Sequence, residues 1–292
     1  MRFDIRYTTR FTYDADVVES QNDLRACPAV DGRQQLLHYR VTTSPASRVY
    51  SYTDYWGTRV DAFGVRGAHD QLEVVAEATV ETSRPSLLTV APRWAELSDP
   101  AYRDEHVEYL RPSPHTAWGA DVADEAERVR DLVGDDVVSA VLAINRFVGT
   151  SVAYSPGATY VGVSTDEVLE RREGVCQDFA HLFIAMCRSL GIAARYVSGY
   201  LFAVDESQGA TTDRDEVEVQ THAWVEVAVP GADWWALDPT NRQEVGVQHI
   251  KIGHGRDYDD VAPMRGTYTG PADHDLDVHI RIRKLAQVQQ QQ

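Results

Sequence analysis

Three residue types, met in a fixed order along the chain, could do covalent chemistry at a carbonyl carbon. Cys176 lies in Arg172-Glu173-Gly174-Val175-Cys176-Gln177-Asp178-Phe179-Ala180-His181-Leu182, directly ahead of an apolar run that reads as a buried helix. At the first turn of such a helix a thiol meets free backbone N–H groups and the positive end of the macrodipole. These surroundings favour thiolate over thiol and offer donors to a developing oxyanion. Downstream, Thr221-His222-Ala223-Trp224-Val225-Glu226-Val227 opens a strand with an imidazole, and Trp234-Trp235-Ala236-Leu237-Asp238-Pro239-Thr240-Asn241 ends another with a carboxylate. The interval from His222 to Asp238 suits two antiparallel neighbours joined by a turn around Pro230-Gly231, with the side chains side by side. Cys176 would then attack, His222 would hold the thiolate and protonate the leaving amine, and Asp238 would orient the imidazole. Each residue alone has an ordinary reading as a core cysteine, an exposed histidine or a turn aspartate. It is the ordered set that carries the argument.

Residues around this set divide between the cleft and the core. Tyr154 lines the cleft, donates to an oxyanion or simply packs. The backbone N–H of Gln177 is an oxyanion donor candidate, and Asp178 reads as a cap of the helix start. Trp224 shields the His–Asp pair from water or fills core, and Asn241 fixes the turn after Asp238. His181 is a poor base, because it rides on the nucleophile's own helix. Cys187 reads as core. Cys176 and Cys187 are about 16 Å apart along a helix, too far to share one zinc, and no metal site is expected.

The elements that must position these residues follow from periodicity. Phe3, Ile5, Tyr7, Thr9, Phe11 and Tyr13 alternate with mostly polar neighbours, the period of a half-buried strand. Further strands are expected at 35–43, at 49–56 resuming after Gly57, and at 72–82. Residues 1–90 thus form an all-β domain, and Pro-punctuated residues 91–120 form a connector. Helices are expected at 121–133 and 135–150, and a capping box at Ser164-Thr165-Asp166-Glu167 starts another through Arg171. The helix from Cys176 to Leu190 stops at Gly191. Strands follow at 193–203, 222–229 and 234–238, with an acidic surface loop at 205–218. Residues 121–270 form the core. Residues 271–292 hold a last strand at 278–282 and a disordered Gln287–Gln292 tail. Helices first and antiparallel strands after make an α+β order.

Composition narrows the partners. The 292 residues carry 45 acidic and 28 basic side chains, a net charge of −17. A basic face for nucleic acid, or for an anionic membrane surface, is hard to build from that balance. No apolar leader opens the chain and no stretch is long enough to span a membrane. Three widely spaced cysteines make no disulfide framework. A cytoplasmic protein with reduced thiols is expected.

The blocks Gly-Val-Cys-Gln-Asp-Phe-Ala-His-Leu, His-Ala-Trp-Val-Glu and Trp-Ala-Leu-Asp-Pro-Thr-Asn resemble the core of the transglutaminase-like superfamily. The segment from His249 to Pro263 and the β-rich start at Ile5-Arg6-Tyr7 resemble its bacterial branch. The resemblance implies a papain-like α+β core behind an N-terminal all-β domain, and a triad of Cys176, His222 and Asp238 acting through a thioester. It implies a peptide or protein substrate carrying an amide, with a glutamine side chain as one candidate, and a peptidase, amidase, deamidase or transamidase reaction. Water and a primary amine both stand as acyl acceptors. It implies no metal or organic cofactor. The alternative is a non-catalytic binding or assembly module that keeps the fold.

Overall fold

The computed structural model describes residues 1–157, 160, 162–203, 215–271 and 273–286. The chain opens with a very long strand, β1 (Arg2–Leu24), followed by β2 (Gln34–Ser44), β3 (Tyr50–Thr53) and β4 (Arg59–Thr82). The alternation at the start of β1 buries Phe3, Ile5, Tyr7, Thr9 and Tyr13, with Phe11 half-buried. β4 is one continuous strand where the sequence suggests two, because its polar middle, Arg66 to Gln71, stays extended against β1. Register shifts between Thr12 and Glu19 mark a bulge there, and a bulge bends a ribbon without ending it.

The connector holds two 3-10 turns and α1 (Pro100–Glu105). Then come α2 (Ala120–Asp131), α3 (Val137–Ser151), β5 (Ala153–Tyr154), α4 (Thr165–Arg171), β6 (Glu173–Gly174) and α5 (Cys176–Ser189). Ser164 caps α4 by accepting from the Glu167 N–H at 3.2 Å, as its capping-box spacing predicts. Gly191, at φ +78°, ends α5. The remaining elements are β7 (Ala194–Leu201), β8 (Glu216–Val219), β9 (Thr221–Ala228), β10 (Trp234–Asp238), β11 (Gln243–Glu244) and β12 (His249–Gly255), then α6 (Tyr258–Val261), β13 (Met264–Thr269) and β14 (His274–Leu285).

Among the described residues, two antiparallel sheets form beside the short parallel pair β5-β6. The first runs β2-β4-β1-β14-β8, with β3 extending along β4 and β13 along β1. Strands from the C-terminal quarter therefore complete a sheet begun by the first 82 residues. The expected acidic loop at 205–218 lies outside the described residues up to 214, while Glu216 to Val219 pair with β14 as a strand. The expected tail at 287–292 also lies outside them.

The second sheet runs β11-β10-β9-β7-β12. One face, through Ala223, Val225, Val227 and Leu237, packs against α5 and the helices around it. Tyr200, Phe202, Ile250 and Ile252 bury themselves with Phe3, Ile5, Leu72 and Val80 of the first sheet. The side chain of Gln34 joins the sheets as a backbone would. Its amide donates to the Lys251 carbonyl at 2.8 Å and accepts from the Lys251 N–H at 2.9 Å. It thereby satisfies part of the free edge of β12.

Candidate active site

Cys176 is the first residue of α5 and is half-buried. The helix start is held by Asp178, whose carboxylate accepts from the Val175 N–H at 2.8 Å. Gly174 is required by this arrangement, because a Cβ there would lie 2.8 Å from Asp178 Cβ. The first-turn amides of Cys176 and Gln177 have no intrahelical acceptor, so both are donors at the start of α5. Tyr154 sits in β5, paired in parallel with Gly174. Its hydroxyl pKa is raised, first by burial and then by the neighbouring Cys176. Its side chain is largely exposed, so it does not fill core.

His222 and Asp238 come together across β9 and β10 as their spacing predicts. His222 Nε2 lies 2.8 Å from Asp238 Oδ2, and Cys176 is close enough to the ring to raise its pKa. The imidazole is therefore held by the carboxylate in the neighbourhood of the sulfur. Burial pushes the His222 pKa down, but the hydrogen bond to Asp238 and the nearby Cys176 outweigh it and carry it up to about 9. Asp238 is fully buried. Burial would raise its carboxyl, yet hydrogen bonds from His222, His249 and Asn241 hold it well below the usual carboxylate range. Asn241 does more than fix a turn. Its backbone N–H reaches Asp238 Oδ1 at 3.1 Å and its side-chain amide reaches Oδ2 at 2.7 Å.

The sequence reading assigns no role to His249, the first residue of β12. Its Nε2 lies 3.1 Å from Asp238 Oδ2. It has a plain position in the sequence, eleven residues past Asp238, and only the sheet order brings it back. Trp224, buried, lies over this group. Its ring meets His249 edge-on at 5.4 Å and His222 at 6.1 Å. The indole crosses β7 at Gly199, where a Cβ would lie 2.4 Å from Trp224 Cη2 and 2.2 Å from the Ile250 carbonyl oxygen. A close approach of this kind admits only glycine.

The other candidates fall outside the group. His181 is buried, stacks on His115 at 5.3 Å and accepts from the Tyr258 N–H at 3.2 Å. Cys187 is core, and burial pushes its thiol far up. Cys27 is buried, its thiol raised to about 11. Arg256 pairs with Asp260, and Asp257 caps α6. Among the described residues, two groups of side chains bring metal-ligand atoms within 4.8 Å: His222 with Asp238 and His249, and His115 with Asp257 and Asp259. In the first, both imidazoles already bond one carboxylate oxygen. In the second, Asp257 is committed to two backbone N–H groups. A cavity of about 860 Å³ lined by Trp56, Trp234 and the Glu226–Lys251–Arg195 cluster does not reach Cys176. Its charges satisfy one another, with Lys251 Nζ 2.7 Å from both Glu226 oxygens. Concavity alone does not mark the chemistry here.

Comparison with known proteins places the chain in a family. Residues 3–81 match the bacterial transglutaminase-like N-terminal region, and residues 125–239 match the transglutaminase-like superfamily. Uncharacterized protein ML0607 of Mycobacterium leprae is 39% identical over 98% of this chain and 99% of its own length. A protein-glutamine gamma-glutamyltransferase of Pseudomonas aeruginosa is 30% identical over 42% of this chain and 19% of its own. The crystal structure of a "Putative Cysteine Protease from Cytophaga hutchinsonii" superposes with a TM-score of 0.75 at 23% identity, covering 96% of this chain and 90% of that one. Among the described residues no helix is long and apolar enough to cross a membrane. In its sheets, its helix-borne cysteine and its sequence, the chain belongs to the transglutaminase-like superfamily, in the branch with the bacterial N-terminal region.

Proposed function

We propose that the protein transfers acyl groups from amides through a thioester on Cys176. The observation that carries this reading is the His222–Asp238 pair, 2.8 Å apart, gathered beside Cys176 at the start of α5, where the sulfur raises the His222 pKa. The Cys176 thiolate attacks the amide carbon, forming a C–S bond and placing negative charge on the carbonyl oxygen. The first-turn amides stabilise that oxyanion. The intermediate collapses with loss of the C–N bond, and the His222 imidazolium gives its Nδ1 proton to the departing amine. Water or a primary amine then attacks the thioester, His222 takes the proton, and the thiolate is restored. Asp238 holds the imidazole by Nε2, so that Nδ1 is the nitrogen serving sulfur and substrate.

The substrate is a peptide or protein amide, and the likeness to a glutamyltransferase over 42% of the chain favours a glutamine side chain. Incubation with a glutamine peptide, with and without a primary amine, tests the reading by mass spectrometry. Deamidated, cleaved and amine-coupled peptides differ in mass, and one of these products is expected. Products formed equally by Cys176→Ala would overturn the assignment.

A further inference from the structure

We propose that His249 is a positioning residue that locks Asp238 against His222, a role that rests on the acyl-transfer reading above. Asp238 Oδ2 receives three donors, His222 Nε2 at 2.8 Å, His249 Nε2 at 3.1 Å and the Asn241 amide at 2.7 Å. The tautomer of His249 follows from its other nitrogen. Nδ1 accepts the Gly246 N–H at 3.2 Å, so the ring proton is on Nε2 and points at Asp238. The ring cannot turn away. Its side chain is 2% exposed, and Trp224 braces it edge-on. His249 comes from β12, with β7 between it and β9. The carboxylate is thus gripped from both sides of the strand that carries His222. With Asp238 unable to swing, Oδ2 stays at Nε2 and leaves Nδ1 as the nitrogen that can serve Cys176. A purely packing role makes a different prediction, because a ring of similar size would then serve.

The test compares His249→Phe, which keeps a ring against Trp224, with His249→Gln, which returns an amide N–H near the Nε2 position. Iodoacetamide labelling of Cys176 and the NMR signal of the His222 Nε2 proton are measured at pH 7. His249→Phe is expected to slow labelling about tenfold, the scale of one bond to a charged group, and to expose the His222 proton to rapid exchange. His249→Gln is expected to recover most of both. Wild-type behaviour in His249→Phe, or no recovery in His249→Gln, overturns the proposal. Long-range imidazole spectra of the unsubstituted protein give a check free of any folding defect, since a His249 proton on Nδ1 also overturns it. Should Cys176 of the unsubstituted protein label no faster than N-acetylcysteine, the acyl-transfer reading itself fails. A fast parent with an equally fast His249→Phe sinks only the role of His249.

Discussion

Replacing Asp238 with asparagine removes one charge and almost no volume, and its effect can be worked from the geometry. His222 titrates at about 9 instead of 6.5, which corresponds to roughly 3 kcal/mol in favour of the imidazolium at 1.36 kcal/mol per unit. That balance is struck against burial, with Asp238 and Cys176 supplying the favourable side. In Asp238→Asn, His249 and Asn241 still donate toward the Oδ2 position, so the amide oxygen must occupy it. The amide nitrogen then faces the Asn241 N–H, donor against donor, where Oδ1 now accepts. The imidazole keeps a neutral acceptor but loses the ion. Its titration midpoint should fall to 6.5 or below. At pH 7 the protonated fraction then drops from about 99% to at most about a quarter. The thiolate–imidazolium pair should weaken about 300-fold or more, at tenfold per unit. An NMR titration of the His222 ring, beside Cys176 labelling at pH 7, measures both. A midpoint within one unit of the parent, or unchanged labelling, would refute the role given to Asp238.

The pH dependence has a defined sign. The His222 pKa is raised, so its contribution to stability is fully present below about 6.5 and is lost as pH rises through about 9. Amide turnover should decline over the same alkaline window as the proton donor disappears, while iodoacetamide labelling, which needs only thiolate, should not; parallel losses would contradict the assignment. Asp238 acts oppositely, its contribution fading as pH falls through its depressed value. Gly199→Ala should cost about 1–3 kcal/mol in denaturant unfolding, because the new Cβ meets Ile250 and Trp224; a neutral result would mean that Trp224 can move off β7 freely. Lys251→Met should cost about 3–5 kcal/mol, since it leaves buried Glu226 with Arg195 as its remaining cation; a loss under about 1 kcal/mol would show that Arg195 alone compensates that carboxylate.

Local pattern made much of this molecule legible. The apolar run after Cys176, the capping box at Ser164 and the stop at Gly191 are signals within a few residues, and α4 and α5 follow them. The approach of His222 and Asp238 was also readable, because a short turn between two strands leaves few registers. Non-local pairing was not. Nothing in the alternation at 274–285 says that β14 lies beside β1, nor that β8 ends the same sheet. His249 shows the limit most clearly. It reaches Asp238 only because β7 enters between β9 and β12, and because Gly199 lets Trp224 lie across that strand. Lys251 and Glu226 meet by the same sheet order.

The most direct test of the central claim is the rate at which iodoacetamide labels Cys176 between pH 6 and 9, read by peptide mass spectrometry against N-acetylcysteine. Cys27 and Cys187, both buried, report unfolding within the same sample. The account predicts that Cys176 outpaces the free thiol below pH 8 and that His222→Ala abolishes the advantage. Labelling of Cys176 no faster than N-acetylcysteine across that range would contradict it.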